Sequence, residues 1–99
     1  MIDTTDVLTA LFEVYDPEIG LNVVDLGLVY DVDVRDGDVT VQMTMTSPGC
    51  PLAPTIEAAA RRAIAARPGV RRVAVDLVWQ PPWTPDRISA AGRAALGME

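Results

Sequence analysis

The sequence predicts a small two-layer α/β domain, an α+β arrangement in which helices cover one face of a three-stranded sheet in the order αββαβα. Three observations lead to this prediction. Two stretches of alternating apolar and polar residues flank Asp36-Gly37, which is typical of an antiparallel hairpin. An alanine-rich segment then carries apolar residues at helical spacing, and a third alternating stretch follows it. At 99 residues, of which 49% are hydrophobic, the chain fits one domain over residues 1–99.

The first half of the chain predicts one helix and two strands. The helix carries an apolar stripe and stops at Asp16-Pro17. That stripe consists of Val7, Leu8, Leu11, Phe12 and Tyr15. The first strand alternates from Leu28 to Val34, and the second strand alternates from Val39 to Met45. Their period of two residues predicts that one face of the hairpin is buried.

The second half predicts a helix from about Pro51 to Arg67, ended by Pro68-Gly69. Its apolar stripe consists of Leu52, Ile56, Ala60 and Ile64. A third strand alternates from Val73 to Trp79 and runs parallel to the second, because one helix returns the chain. The pattern leaves open which of the first two strands it pairs with.

The carboxyl-terminal segment begins with a stiff connection, Gln80-Pro-Pro-Trp83. Thr84 then caps a last helix that has Pro85 at its first position, and this helix ends near Gly97.

Composition narrows the classes of partner. The net charge of −6 opposes binding to nucleic acid or to anionic membranes. No apolar run approaches the roughly 18 residues that span a bilayer, and the amino terminus lacks the basic start of a signal peptide. We therefore expect a cytoplasmic protein, and a single cysteine agrees with a reducing compartment.

Cys50, the one cysteine, is the leading candidate for chemistry. It falls where the second strand ends and the second helix starts, and unpaired N–H groups and the helix dipole stabilise a thiolate there. Hydroxyls of Thr44, Thr46 and Ser47 share this rim, and Gly49 permits close approach of the backbone. The alternative is that Cys50 packs as a small buried hydrophobe, and its position alone leaves both open.

A second polar cluster occupies the predicted loop from Asp16 to Asp25. Asp16 and Glu18 could be metal ligands or could hydrogen-bond to the Cys50 turn. The alternatives are an Asp-Pro turn for Asp16 and the capping of a nearby turn for Asp25.

The residues that are missing limit the chemistry. Without histidine there is no Cys-His nucleophilic pair, and with one cysteine there is no CxxC motif and no four-thiolate site in one chain. A metal or cluster would have to be shared between this chain and another. Two copies of Cys50 across a homodimer, or Cys50 with a partner's ligands, would supply the thiolates.

Three stretches carry a resemblance to a known family. They are Tyr15 to Tyr30, which includes the DPEIGLNVVDLG sequence, Met43 to Leu52, which includes TSPGCP, and Val73 to Pro85, which includes WQPPWTP. Together they closely resemble the SufT and PaaD-like family, which includes eukaryotic cytosolic iron-sulfur targeting proteins of the MMXD complex. The PaaD branch carries further cysteines towards its carboxyl terminus and none follows Cys50, so the stand-alone SufT-like branch fits better.

The resemblance implies a factor for iron-sulfur cluster assembly or maturation rather than an enzyme. It implies that the chain acts on client apoproteins with the assembly machinery, and that iron or a cluster binds transiently. In this family, the DPEI segment and the TSPGCP segment are expected to meet in a pocket around the cysteine. That pocket contains Asp16, Glu18, Thr46 and Cys50, extends to Asp25 and Trp79, and has Ser47 and Gly49 on its rim.

Two alternatives from other classes stay open. One is a thiol enzyme with Cys50 as nucleophile and Glu18 or Asp16 as base. The other is an adaptor that binds partners through Trp83 and the long loop while Cys50 only packs. For the tryptophans, we expect Trp79 to continue the apolar strand face into the core and Trp83 to be exposed at an interface.

Overall fold

The computed structural model describes residues 2–47 and 49–97, which form three helices, a three-stranded sheet and a two-stranded sheet. The helices are α1 (Thr4–Leu11), α2 (Ala53–Ala65) and α3 (Ala90–Leu96), and the strands are β1 (Tyr15–Asp16), β2 (Leu21–Asn22), β3 (Val29–Arg35), β4 (Asp38–Met43) and β5 (Arg72–Leu77). One 3-10 turn spans Pro85–Arg87. Within the described residues, no helix has the length and apolar character needed to cross a membrane. The predicted α+β fold is confirmed.

The main sheet has the order β3-β4-β5. β3 and β4 form the predicted antiparallel hairpin, with Val32 opposite Val41, and a bulge interrupts their register between Val29 and Asp31. β5 runs parallel to β4, with Val75 beside Val41. The strand order therefore answers the question that the pattern left open, because the third long strand lies beside the second.

The core lies between one face of this sheet and the helices α1 and α2. Val39, Val41 and Met43 of β4 are essentially inaccessible to water, as the alternating pattern predicts. The predicted apolar stripe of α2 is largely confirmed, since Ile56 is buried with Ala60 and Ile64. Burying a side chain as large as Ile56 or Ile64 contributes about 1.5–3 kcal/mol to the stability of the fold.

The first helix ends earlier than predicted. Asp3 caps α1 through a capping box with Asp6, and Phe12 is the residue at which the helix ends. The chain then forms β1, which pairs antiparallel with β2 inside the segment predicted to be a loop. The prediction that the helix continues to Asp16-Pro17 is wrong. The backbone beyond Leu11 bonds across the hairpin instead, and the Val14 carbonyl accepts from the Val23 N–H at 2.9 Å.

The last helix begins later than predicted. Thr84 precedes only the 3-10 turn, and α3 starts after Ser89, whose hydroxyl accepts from the Gly92 N–H at 2.9 Å. Ile88 separates the two because it adopts an extended conformation and is buried in the core. The predicted end is confirmed, since Gly97 adopts the left-handed conformation that favours glycine, with φ of 74°.

Candidate functional site

The DPEI segment precedes β3 and the TSPGCP segment follows β4, so both adjoin the same end of the main sheet. Val29 at the start of β3 pairs with Met43 at the end of β4, and Leu77 at the end of β5 lies beside Met43. Backbone hydrogen bonds extend this end outwards, from the Leu28 N–H to the Val23 carbonyl at 3.0 Å and from the Thr44 N–H to the Leu28 carbonyl at 2.8 Å. The β1–β2 hairpin and the connection 44–52 are therefore fastened to one another through Leu28.

Cys50 lies within this connection rather than at the start of the helix. β4 ends at Met43, and α2 begins at Ala53 with Leu52 as its N-cap residue. The Cys50 N–H donates to the Ser47 carbonyl at 3.2 Å, and the Cys50 carbonyl accepts from the Ala53 N–H at 3.3 Å. Its side chain is half-buried and packs against the core.

Cys50 consequently lies farther from the start of the helix than the sequence indicates. Cys50 precedes the N-cap residue, whereas the influence of the dipole falls off within the first turn. Pro51 also lies outside α2, while Pro54 is in its first turn, where a missing N–H breaks no helical bond.

The polar residues around Cys50 differ in exposure. Thr44 is 1% exposed and so does not belong to the rim on which the sequence places it. Thr46 is half-buried, and Ser47 and Gly49 are exposed. A Cβ built on Gly49 meets no atom within 4 Å, and its φ lies outside the left-handed region. Among the described residues, neither close packing nor a left-handed backbone therefore requires a glycine at this position.

Asp16 is 3% exposed, and its carboxylate is held within its own loop. It accepts from the Glu18 N–H at 2.9 Å and from the Ile19 N–H at 3.4 Å, while the Asp16 carbonyl accepts from the Gly20 N–H at 2.7 Å. These are the bonds of an Asp-Pro turn, as the alternative predicts, although the turn closes a hairpin and does not end a helix. Glu18 is exposed in that turn.

Asp25 joins the β2–β3 connection to α3. One oxygen of its carboxylate accepts from the Asn22 amide at 2.8 Å, and the other accepts from the Ser89 hydroxyl at 2.8 Å. The Asp25 N–H donates to the Asn22 side-chain oxygen, and the Asp25 carbonyl accepts from the Ser89 N–H. The side chain that caps the turn is therefore that of Asn22, while the Asp25 carboxylate bonds only to side chains and does not cap the turn as the alternative predicts.

Sequence reasoning missed Asn22, which is 6% exposed and completes this network. The available signal was the Asn-Val-Val-Asp spacing, because asparagine and aspartate three residues apart commonly bond across a turn.

The environments of the two tryptophans differ from those predicted. Trp83 packs against the core and donates from its indole nitrogen to the Leu26 carbonyl at 2.7 Å. Trp79 is 39% exposed, because β5 ends at Leu77 and the strand alternation does not reach it. Both predictions are wrong, and the adaptor alternative loses Trp83 as its exposed contact.

The donor set restricts what this end of the sheet can hold. Within residues 2–47 and 49–97, no three histidine, cysteine, aspartate or glutamate side chains form a group that could bind a metal ion, and no enclosed pocket is found. Iron-sulfur clusters take four thiolates or equivalent ligands, and this chain offers one. Joint action of Asp16, Glu18 and Cys50 on a ligand stays a prediction.

Comparison with known proteins gives consistent results. A family described as "Iron-sulfur cluster assembly protein" matches residues 4–77. The Bacillus subtilis Fe-S protein maturation auxiliary factor YitW is 47% identical over 95% of this chain and 93% of its own length. The Staphylococcus aureus factor SufT is 46% identical over 86% of this chain and 98% of its own. A crystal structure of a domain of unknown function from Bacillus anthracis superposes with a TM-score of 0.91, at 38% identity, covering 96% of this chain and 92% of that one.

Proposed function

This chain belongs to the family of iron-sulfur cluster assembly proteins, and on that premise we propose that it matures client apoproteins with Cys50 as a transient ligand or contact for iron-sulfur cargo. The observation that carries the proposal is the setting of Cys50, a half-buried thiol in a connection whose backbone is pinned by hydrogen bonds on both sides.

Transient use follows from the number of ligands. One thiolate binds a cluster far more weakly than four, so cargo held by Cys50 is easily transferred to a protein that offers a full set. The remaining ligands then come from the donor or the client. A cytoplasmic location, where thiols stay reduced, suits this use of a free cysteine.

Open space for such a partner exists at Gly49, the residue before Cys50. Gly49 is exposed, and the volume that a Cβ would fill there is open. A glycine that the fold itself does not require supports close approach by a group from another molecule. The prediction that Asp16, Glu18, Asp25, Thr46, Ser47 and Trp79 share a pocket with Cys50 is part of this proposal.

The thiol-enzyme alternative gains no support from the contacts. Its two candidate bases lie on the β1–β2 turn, where the Asp16 carboxylate already accepts two backbone N–H groups and Glu18 is exposed. A general base must reach the proton that it removes, and among residues 2–47 and 49–97 no hydrogen bond joins either carboxylate to Cys50.

The proposal is tested by complementation. In cells that lack this protein, Cys50→Ala should lower the activity of an iron-sulfur enzyme several-fold while the amount of that enzyme stays constant. Leu52→Ala is the matched control, because it truncates a half-buried side chain in the same connection but keeps the thiol. Leu52→Ala should restore activity, whereas full activity with Cys50→Ala would refute ligation by Cys50.

A further inference from the structure

The outer edge of β5 is a regular strand edge. β5 pairs with β4 over six consecutive positions with no shift of register, and no further strand pairs with it within residues 2–47 and 49–97. It contains no proline. The opposite edge, β3, is interrupted by a bulge between Val29 and Asp31, a common way to discourage edge pairing. The sheet therefore presents one edge with a bulge near its start and one that is regular along its whole length and can accept another strand.

The groups that point outwards from β5 follow from its bonds to β4. The Arg72 N–H donates to the Gly37 carbonyl, and the Val78 N–H donates to the Met43 carbonyl. Because successive residues of a strand direct their backbone groups to opposite sides, those of Val73, Val75 and Leu77 face the free edge. These N–H and C=O groups are the ones that a second strand would pair with.

Charges on β5 are arranged symmetrically about Ala74. Arg72 precedes it by two residues and Asp76 follows it by two, and all three are exposed on the face of the sheet opposite the core. If two copies pair antiparallel with Ala74 opposite Ala74, each Arg72 lies opposite the Asp76 of the second copy. The same register places Val73 opposite Val75, so the outward backbone groups meet each other.

Other registers lose this match. A shift by one residue places residues whose backbone groups face β4 opposite residues whose groups face the second copy, and such a pair cannot form hydrogen bonds. The two neighbouring allowed shifts place Ala74 opposite Arg72 or opposite Asp76, and neither forms the ion pair. Larger shifts bring Arg72 against Arg72 or Asp76 against Asp76, which is unfavourable for residues directly opposite each other.

We propose that two copies of this chain associate through the β5 edge, antiparallel, about a two-fold axis at Ala74. The contact is isologous, since each copy contributes the same strand, and it joins the two sheets into one. It does not rest on the proposed function. Because β5 strands run in opposite directions in this dimer, the two copies of Cys50 lie at opposite ends of the joined sheet. The dimer therefore does not bring the cysteines together, and further ligands for cargo come from other proteins.

Charge reversal tests the register. Arg72→Asp and Asp76→Arg each place like charges opposite one another twice and should raise the dimer dissociation constant about tenfold in sedimentation velocity. Mixing the two variants should restore wild-type affinity as a heterodimer, since opposite charges face each other again. Arg35→Asp is the matched control on β3, because it reverses an exposed charge in the same row of the sheet and should leave dimerisation unchanged. A wild-type chain that is monomeric at about 1 mM, or variants that do not complement on mixing, would overturn the proposal.

A cross-link tests the axis. Residues opposite each other at a non-hydrogen-bonded antiparallel pair have Cα atoms about 4.5 Å apart, within the range of a disulfide. Ala74→Cys in a Cys50→Ser chain should form a disulfide dimer under mild oxidation. Thr40→Cys in the same background should not, because Thr40 is beside Ala74 on the central strand. Equal cross-linking of the two variants would show that copies meet by another surface and would refute the β5 contact.

Discussion

Replacing Asp25 by alanine tests whether one carboxylate fastens α3 to the rest of the fold. The substitution removes the acceptors of the Asn22 amide and the Ser89 hydroxyl, both at 2.8 Å. The backbone bond between the Ser89 N–H and the Asp25 carbonyl remains. The perturbation therefore acts on the side-chain network and leaves the chain path unchanged.

The expected cost follows from the burial of the two donors. A hydrogen bond to a charged group contributes about 1.5–3 kcal/mol to stability. If its donor is buried and is left without a partner, the protein loses most of that free energy. Asn22 is 6% exposed, so its amide cannot recover the bond from water. Ser89 is half-buried, and its hydroxyl can turn to solvent. We expect Asp25→Ala to lower the free energy of unfolding by about 2–4 kcal/mol.

Urea unfolding and hydrogen exchange measure the effect together. Ser89→Ala removes one of the two bonds and the N-cap bond to Gly92, and should cost about 1–2 kcal/mol. Asp33→Ala is the charge control, because its exposed ion pair with Arg35 should be worth less than about 1 kcal/mol. If Asp25→Ala stays within about 0.5 kcal/mol of wild type and amide exchange in α3 is unchanged, the network does not hold the helix and the reasoning is refuted.

Two further predictions concern glycines. Gly49→Ala should change the free energy of unfolding by less than about 0.5 kcal/mol, because its Cβ would meet open space. If a partner approaches there, the same substitution should lower client maturation in cells. Unchanged maturation would remove that support from the proposed function. Gly27 and Gly20 share the left-handed conformation, with φ of 78° and 79°. A Cβ at Gly27 would overlap the Arg87 carbonyl oxygen, whereas one at Gly20 would meet nothing within 4 Å. Thermal unfolding should therefore show that Gly27→Ala lowers the free energy of unfolding by about 1–3 kcal/mol more than Gly20→Ala does. Equal losses of stability in the two variants would argue against the close packing of Gly27 on Arg87.

The central elements were predictable because their patterns are strong. Alternation on both sides of Asp36-Gly37 predicted β3 and β4, since side chains of a strand alternate between faces whatever packs on them. The stripe of α2 was equally clear, but the helix was predicted two residues too long at each end, and Pro51 suits a helix start but lies outside this one. Tertiary contacts decide where each helix or strand begins and ends. The chain after Leu11 forms a hairpin because its backbone finds partners across β1 and β2, which local spacing does not reveal.

The candidate site was predictable in its residues but not in their surroundings. Cys50 stood out because it is the single cysteine, and the motifs around it carried the family resemblance that the comparisons confirm. The exposure of Trp79 and the partial burial of Trp83 were not predictable, because the alternating pattern does not show at which residue a strand ends.

The sequence by itself determined the period of each central element, the acidic charge of the chain and the presence of one thiol without histidine. These properties are local or compositional, and they restrict both the fold class and the ligands that the chain can offer. Only the tertiary structure decided that β5 lies beside β4, that the hairpin and the Cys50 connection share one end of the sheet, and that Cys50 precedes α2 instead of starting it. Those facts depend on which distant segments satisfy one another's hydrogen bonds and bury one another's side chains, and this free energy belongs to the whole fold.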